Sequence, residues 1–422
     1  MGSDDLARRA VVTGLGAVTP IGNDAPTYWR NLVAGVSGVA RISHFDPSNR
    51  DVRIAAEVKD FDPTVAMDAR MARRMSRFIH FAMAATKEAV ADAAIDFALL
   101  TPEERDRVAV IINTGGGGLE QVTQGADTDR TKGPRFVSPF AIPALSPSMA
   151  GCLVSMEHHL TGPVMTQSAA CATGVLAFTD ALRYIQRGEI DVAIIGGVEA
   201  PLLPMAFSAL GNMHALSKRN DDPEHASRPF DALRDGFVFG EGGAVVVVES
   251  AEHALTRGAT IHAEIVGGAL TADGYHITAP DPTGRGAAMA MTKALRDAGV
   301  APDEVDYVVA HGTSTQLNDA TETRAIKTTF GDHAYNVAIS SPKSMVGHLL
   351  GGAGAVAGLA ALGAIREGVV PPTVNYEVPD PECDLDYVPN TARKARVDTA
   401  IINGFGFGGQ NAVAVFRRFS VD

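Results

Sequence analysis

An α/β fold is predicted for this 422-residue chain by three observations. Short β-rich runs alternate with helical stretches along the whole sequence. The order of those runs recurs in the second half at very low identity, which is the signature of an internal duplication. Small residues abound, with 43 Gly and 46% hydrophobic residues, a composition suited to helices packed closely on sheets around a large core.

The elements follow in order. Arg9–Thr13 (RAVVT) reads as the first strand, ending in Gly-Leu-Gly, and a helix is expected near Ala25–Ala34. Residues 66–94 read as one long helix with alanine and methionine on one face. Val108–Asn113 is a buried strand running into four glycines. Val164–Gln167 leads to Cys171, and Cys171–Arg187 has the apolar spacing of a helix. Asp191–Gly197 and the β-branched Gly243–Glu249 are further buried strands. The second half then repeats the pattern with Ala263–Val266, Tyr307–Ala310 before His311, and Val337–Ser340 before Lys343 and His348. A Gly/Ala-rich helix to about Ile365 follows, then Ala400–Ile402, the run Gly404–Gly409 and Val413–Phe416. The join falls near residue 255, giving halves 1–255 and 256–422 that share one core.

Composition narrows the function. No run of 18 uncharged apolar residues occurs, so a membrane span is not expected. The N-terminus has neither the basic nor the apolar region of a signal peptide, and lacks the Ser/Thr of a myristoylation signal, so the cytoplasm is the expected compartment. The three cysteines are widely spaced, with no Cys-x-x-Cys pair, so neither a zinc site nor a disulfide framework is predicted. A net charge of −13 argues against nucleic acid as a partner. Against that background, Arg70, Arg73, Arg74 and Arg77 fall at helical spacing and can share one face, with Lys132 and Arg135 in a later loop. Such a patch is either a solvated helix face or a dock for an acidic partner.

The chemistry centres on Cys171, in MTQSAACATGV at a strand-to-helix turn. Any single cysteine is more often a core residue, and Cys152 and Cys383 keep that reading. For Cys171, the helix N-terminus lowers the thiol pKa, and the small neighbours Ala169, Ala170, Ala172 and Gly174 permit a tight turn. Two histidines stand at equivalent places in the duplicated half. His311 ends an apolar strand before Gly-Thr-Ser-Thr, and His348 opens a glycine-rich helix. Neutral imidazoles there can donate hydrogen bonds to a developing enolate. Lys343, five residues earlier, is either a surface lysine or a cation that orients a histidine. The stretch from Gly404 to Gly409 contains G-x-G-x-x-G, but too little chain remains for the βαβ unit of a dinucleotide site. A flexible backbone near a substrate oxygen fits better, with Phe405 and Phe407 as movable walls.

Together, TGLGAVTPIG, AACATG, AHGTST, KSMVGH and NGFGFGG, in this order and across essentially the whole chain, resemble the β-ketoacyl-acyl-carrier-protein synthases of the type II elongating kind. The resemblance implies the thiolase fold, a duplicated five-layered αβαβα core, as a homodimer. It implies that Cys171 takes an acyl group from acyl carrier protein, and that a carbanion from malonyl-carrier protein attacks this thioester. His311 and His348 then stabilise the enolate, supported by Lys343, Asp319 and Glu322. The backbone N–H groups of Cys171 and Phe407 form an oxyanion hole. Phe407 gates the acyl pocket beside Phe405, and Thr278, Thr313 and Thr315 bind the pantetheine arm. Gly116 stands where related enzymes carry a branched residue before that pocket. Arg70, Arg74 and Arg135 match carrier-protein contacts, which favours the docking reading of the basic patch. No cofactor is implied beyond the phosphopantetheine on the carrier protein.

One departure is Ala357, where the family commonly has a glutamate beside a monovalent-cation site, so no metal is expected. An ordinary thiolase needs a second cysteine near the C-terminal glycine loop, and initiating type III enzymes use Cys-His-Asn; neither pattern fits. The remaining alternatives are a ketosynthase subunit of an aromatic polyketide pathway, which shares every catalytic residue, and a non-condensing chain-length partner subunit. Such partners lack the nucleophile, so Cys171 argues against the latter.

Overall fold

The computed structural model describes residues 6–421, so part of the N-terminal stretch on which the signal-peptide and myristoylation readings rest lies outside the described residues. Ten strands carry the architecture: β1 (Ala10–Val18), β2 (Val108–Asn113), β3 (Val164–Met165), β4 (Val192–Glu199) and β5 (Gly242–Ser250), then β6 (Ala263–Ala272), β7 (Tyr307–Val309), β8 (Ala338–Ser340), β9 (Thr399–Gly406) and β10 (Gln410–Arg417). Their hydrogen-bonded order is β8-β7-β9-β10-β6-β1-β5-β4-β2-β3. Read outward from the middle, each strand of one arm is matched by the strand five later in the other. Strand directions match as well. β2 is parallel to β3 and β4, as β7 is to β8 and β9, while β5 and β10 run antiparallel to their neighbours. Within the sheet, the register pairs Ala10–Ile265, Val11–Glu264 and Val12–Ala263 join the two arms.

Helices complete five layers. α3 (Thr173–Gln186) and α6 (Ala353–Glu367) pack against strands of both arms and form the middle layer. α1 (Arg77–Asp92) and α2 (Met149–His158) cover the outside of the first arm, and α4 (Arg285–Ala298) covers the second with α5 (Gln316–Phe330) packed beside it. Three hydrophobic clusters follow these layers, one central and one outside each arm. Thirteen residues of α6 are buried, which is why it reads as hydrophobic all round rather than amphipathic. Among the described residues no helix is long and apolar enough to cross a membrane.

Two elements differ from the sequence expectation. β1 does not stop at Gly-Leu-Gly but runs on to Val18, fully buried. A Cβ at Gly14 or Gly16 would lie 2.1 or 2.0 Å from the carbonyl oxygens of Ala89 and Ala85 in α1. These glycines therefore permit close helix-on-strand packing rather than a turn. The long helix expected across 66–94 is broken. Asp68 caps a single turn, Ala69–Ala72, and the chain is extended at Ser76 before α1 starts. The Ser76 hydroxyl donates to the Ala144 carbonyl at 2.6 Å, which anchors the break. The four arginines consequently do not share one continuous helical face.

Candidate active site

The middle layer creates the site, because α3 and α6 meet through their first turns. A Cβ on Gly174 would fall 2.6 Å from the Ala355 nitrogen, and one on Gly354 2.4 Å from the Val175 nitrogen. This glycine contact lets the residues just before each helix face one another.

Cys171 lies before the N-cap Ala172 of α3, so the helix starts two residues later than the apolar spacing suggests. Its turn is tight. Ala170 has φ +48°, and the Thr173 hydroxyl accepts from the Ala169 N–H at 2.8 Å. A non-glycine residue in that region carries roughly 1–3 kcal/mol of strain, the kind of constraint found at functional turns. Gly406 at the end of β9 presses on the same turn; a Cβ there would sit 2.7 Å from the Ala169 oxygen and 3.0 Å from the Cys171 nitrogen.

Cys171, His311 and His348 are all buried, and their Sγ and ring nitrogens lie within 4.8 Å of one another. The His311 and His348 rings meet edge to face, with centroids 5.4 Å apart, and Phe405 and Phe237 pack against them. Burial holds both imidazoles well below the usual histidine range, and the neighbouring Lys343 ammonium adds to it. Both are therefore neutral at physiological pH. His348 Nδ1 accepts the Leu350 N–H at 3.2 Å, so the ring proton belongs on Nε2. That Nε2 is buried and has no hydrogen-bond partner. It is a donor waiting for an acceptor.

The same tautomer bears on a metal reading of the trio. A cation needs a lone pair at Nε2, and Lys343 already brings positive charge close by. The three residues suit an anionic oxygen better than a cation.

Lys343 is buried, and its Nζ donates to the His311 carbonyl at 2.6 Å. Desolvation draws its pKa down to about 8, while Glu322, Cys171 and Asp319 oppose the shift. The sequence expectation of a low-pKa thiol is reversed. Burial pushes Cys171 up to about 11, against the pull of Lys343 and of the backbone N–H of Phe407. Glu322 and Asp319 brace the loop after β7. Glu322 accepts the N–H groups of His311 and Gly312 (2.7 Å each) and the amide of Asn403 (3.0 Å). Asp319 accepts those of Thr313 (3.0 Å) and Phe230 (2.8 Å) and faces Arg234.

A cavity of about 490 Å³ opens onto this centre. Cys171, His311, His348, Phe405, Phe407, Thr278, Thr313 and Thr315 all line it, with the hydroxyls of Thr313 and Thr315 2.9 Å apart. Gly116 does not line this cavity, and its N–H donates to Glu199 at 3.0 Å. Among the arginines, Arg70 and Arg135 are exposed, and Arg74 is half-buried with its guanidinium 4.3 Å over the Phe140 ring. Arg77 is held by Glu241 at 2.8–2.9 Å, so it belongs to the scaffold. Cys383 sits in the outer cluster of the second arm with its thiol pushed up to about 12, and Cys152 is half-buried. Sequence reasoning missed Glu199 and Phe237. The one signal for Glu199 was an acid closing the apolar run DVAIIGGVE.

Comparisons with known proteins agree with this geometry. Residues 7–254 match the family model "Beta-ketoacyl synthase, N-terminal domain", and residues 262–377 match "Beta-ketoacyl synthase, C-terminal domain". The chain is 49% identical over 412 residues to 3-oxoacyl-[acyl-carrier-protein] synthase 2 of Synechocystis sp., covering 98% of each chain. It is 47% identical to the protein of that name from Coxiella burnetii, over 97% of this chain and 99% of that one. Among solved structures, a beta-ketoacyl synthase from Burkholderia phymatum superposes with a TM-score of 0.90 at 36% identity, covering 98% of this chain and all of that one. A type II polyketide ketosynthase in complex with its acyl-carrier protein and bound to the hexaketide gives 0.89 at 33%, with the same coverage. The fold is that of these ketosynthases, and the chain belongs to the beta-ketoacyl synthase family.

Proposed function

We propose that this chain is a 3-oxoacyl-acyl-carrier-protein synthase that lengthens fatty acyl chains by two carbons through decarboxylative condensation. The observation that carries the reading is the convergence of a buried thiol and two neutral imidazoles on one cavity. In the first half-reaction the Cys171 sulfur attacks the thioester of an acyl-carrier protein. The new S–C bond replaces the old one, and the departing pantetheine thiol takes the proton. The N–H groups of Cys171 and Phe407 receive the developing oxyanion. In the second, malonyl-carrier protein loses carbon dioxide, and the enolate oxygen accepts hydrogen bonds from His311 and His348. The enolate carbon then attacks the Cys171 thioester, forming the C–C bond as the S–C bond breaks and the sulfur leaves as a thiolate, which takes a proton from solvent.

Thr278, Thr313 and Thr315 line the path of the pantetheine arm, and Phe405 and Phe407 form the wall towards the acyl chain. Arg70, Arg74 and Arg135 receive the acidic carrier protein. The nucleophile belongs to the half 1–255, and the two histidines and Lys343 to the half 256–422. A homodimer is favoured by exposed apolar side chains at Val122, Phe136, Ile142 and Met156, and by the open sheet edge at β3. The cytoplasm, where carrier-protein substrates are made and used, is the proposed compartment. Higher identity to the 3-oxoacyl-[acyl-carrier-protein] synthases 2 (46–49%) than to the type II polyketide ketosynthase (33%) favours fatty acid over polyketide elongation.

Mass spectrometry of products from a ladder of acyl-carrier-protein primers with malonyl-carrier protein tests this. Single two-carbon extensions are expected; repeated extension without reduction would move the reading to a polyketide enzyme. His311→Ala and His348→Ala should each lose malonyl decarboxylation, and retention of wild-type rates by both would remove the enolate role.

A further inference from the structure

Glu199 closes β4, is 1% exposed, and is held by neutral donors alone in the hydrogen bonds it makes. Its carboxylate accepts four of them: the Thr114 hydroxyl at 3.0 Å, and the N–H groups of Gly115 at 2.7 Å, Gly116 at 3.0 Å and Gly351 at 3.0 Å. The first three belong to the loop after β2 and the last to the turn between His348 and α6. One carboxylate thus ties a loop of the first arm to the segment of the second that carries a site histidine.

The turn it holds is strained. Leu350 has φ +44°, which a leucine adopts only where its surroundings impose it. Within this turn the Leu350 N–H meets His348 Nδ1 at 3.2 Å. The next N–H, of Gly351, is the one Glu199 takes. A Cβ at Gly351 would meet the Glu199 carboxylate at 2.5 Å, so the position is closed to other residues.

We propose that Glu199 is a positioning residue for His348: by holding the Gly351 N–H it keeps Leu350 left-handed, so that the Leu350 N–H occupies Nδ1 and the ring proton stays on Nε2, facing the cavity. The proposal deepens the functional reading above and rests on His348 as an enolate donor. It accounts for a buried carboxylate whose charge opposes thiolate formation at Cys171. The acid is retained for the histidine rather than for the nucleophile.

The test is ring-nitrogen NMR on the full chain labelled with 15N-histidine, the His348 signals being assigned by loss in His348→Ala. In the wild type, Nδ1 should appear unprotonated and Nε2 protonated. Glu199→Ala should give an averaged mixture of tautomers and lower malonyl decarboxylation about tenfold or more, while acylation of Cys171 changes by less than about threefold. Glu199→Gln is nearly isosteric and keeps an acceptor oxygen for only one pair of donors, so it should fall between. It also carries the same test if the alanine variant does not fold. Unchanged His348 shifts in a folded Glu199 variant would overturn the proposal, as would an equal loss in both half-reactions with those shifts unmoved. Should His348→Ala itself decarboxylate normally, the enolate reading fails, and the ring shifts still decide whether Glu199 sets the tautomer.

Discussion

Lys343 donates its ammonium proton to the backbone carbonyl of His311, at 2.6 Å, rather than to a carboxylate. The lysine therefore stands beside the histidine and the cysteine at once, positioned by a neutral group that leaves its charge available. Glu322, which receives the His311 N–H, supplies negative charge behind the loop. With Ala357 in place of the family's usual glutamate, the position of Lys343 is set by the His311 carbonyl.

That arrangement predicts how the thiol responds to pH. With Cys171 near 11 and Lys343 near 8, iodoacetamide alkylation of Cys171 should climb about tenfold per pH unit up to pH 8. Above pH 8 it should climb less steeply, because Lys343 loses the charge that favours the thiolate. Of the other groups near the sulfur, His311 and His348 are neutral, and the Glu199 carboxylate opposes the thiolate, adding to the effect of burial. Lys343→Ala should slow alkylation at pH 7.5 and remove the break in slope. A flat profile from pH 6 to 8 would mean a resting thiolate.

Cys171→Ala should abolish acyl-enzyme formation and condensation, by about 1,000-fold or more, yet leave measurable malonyl decarboxylation. Intact-protein mass after incubation with an acyl thioester reads the first effect, and carbon dioxide release reads the second. Normal condensation by this variant would refute the covalent route.

Arg74→Glu and Arg135→Glu should raise KM for carrier-bound substrate about tenfold and leave small thioester analogues unaffected. Steady-state kinetics with both substrate types separates docking from chemistry. Equal effects on both would assign these arginines to the scaffold, as Glu241 does for Arg77.

Glu249 supports the joint between the halves. It is fully buried and accepts from Arg257 and His253, 2.5–2.7 Å away, and from the Thr13 hydroxyl. These partners overcome the desolvation that acts against them and hold its carboxyl at about 2. The folded pKa is depressed, so the stabilisation is present above the unfolded value near 4.5 and is lost as pH falls towards 2. Glu249→Gln should cost about 3 kcal/mol at pH 7 in urea unfolding and almost nothing near pH 2. A pH-independent penalty would show that packing rather than charge is at stake.

Much of the site was legible because its residues are local signals at strand ends. Cys171, His311, Lys343 and His348 each follow an apolar run, and the repeated order of those runs placed them on matching arms. What stayed hidden depends on contacts between distant segments. Gly14 and Gly16 look like a turn until α1 lies across them. The arginine stripe looks continuous until the Ser76 hydroxyl is found on Ala144. The thiol pKa reads as lowered from a helix end, yet burial, which no local pattern reports, outweighs that effect. Glu199 was invisible because all its partners are backbone N–H groups or a threonine far away in sequence.

The meeting of Gly174 and Gly354 has an electrostatic consequence. Two helices begin back to back there, and each contributes roughly half a positive elementary charge at its start. In a chain of net charge −13, the centre that must tolerate an enolate and a departing carboxylate thus has a positive potential built partly from peptide dipoles. Unlike the Lys343 ammonium, that contribution does not titrate, and no single side-chain deletion removes it. A side chain larger than hydrogen at either glycine would push the helix ends apart and weaken the field along with the packing.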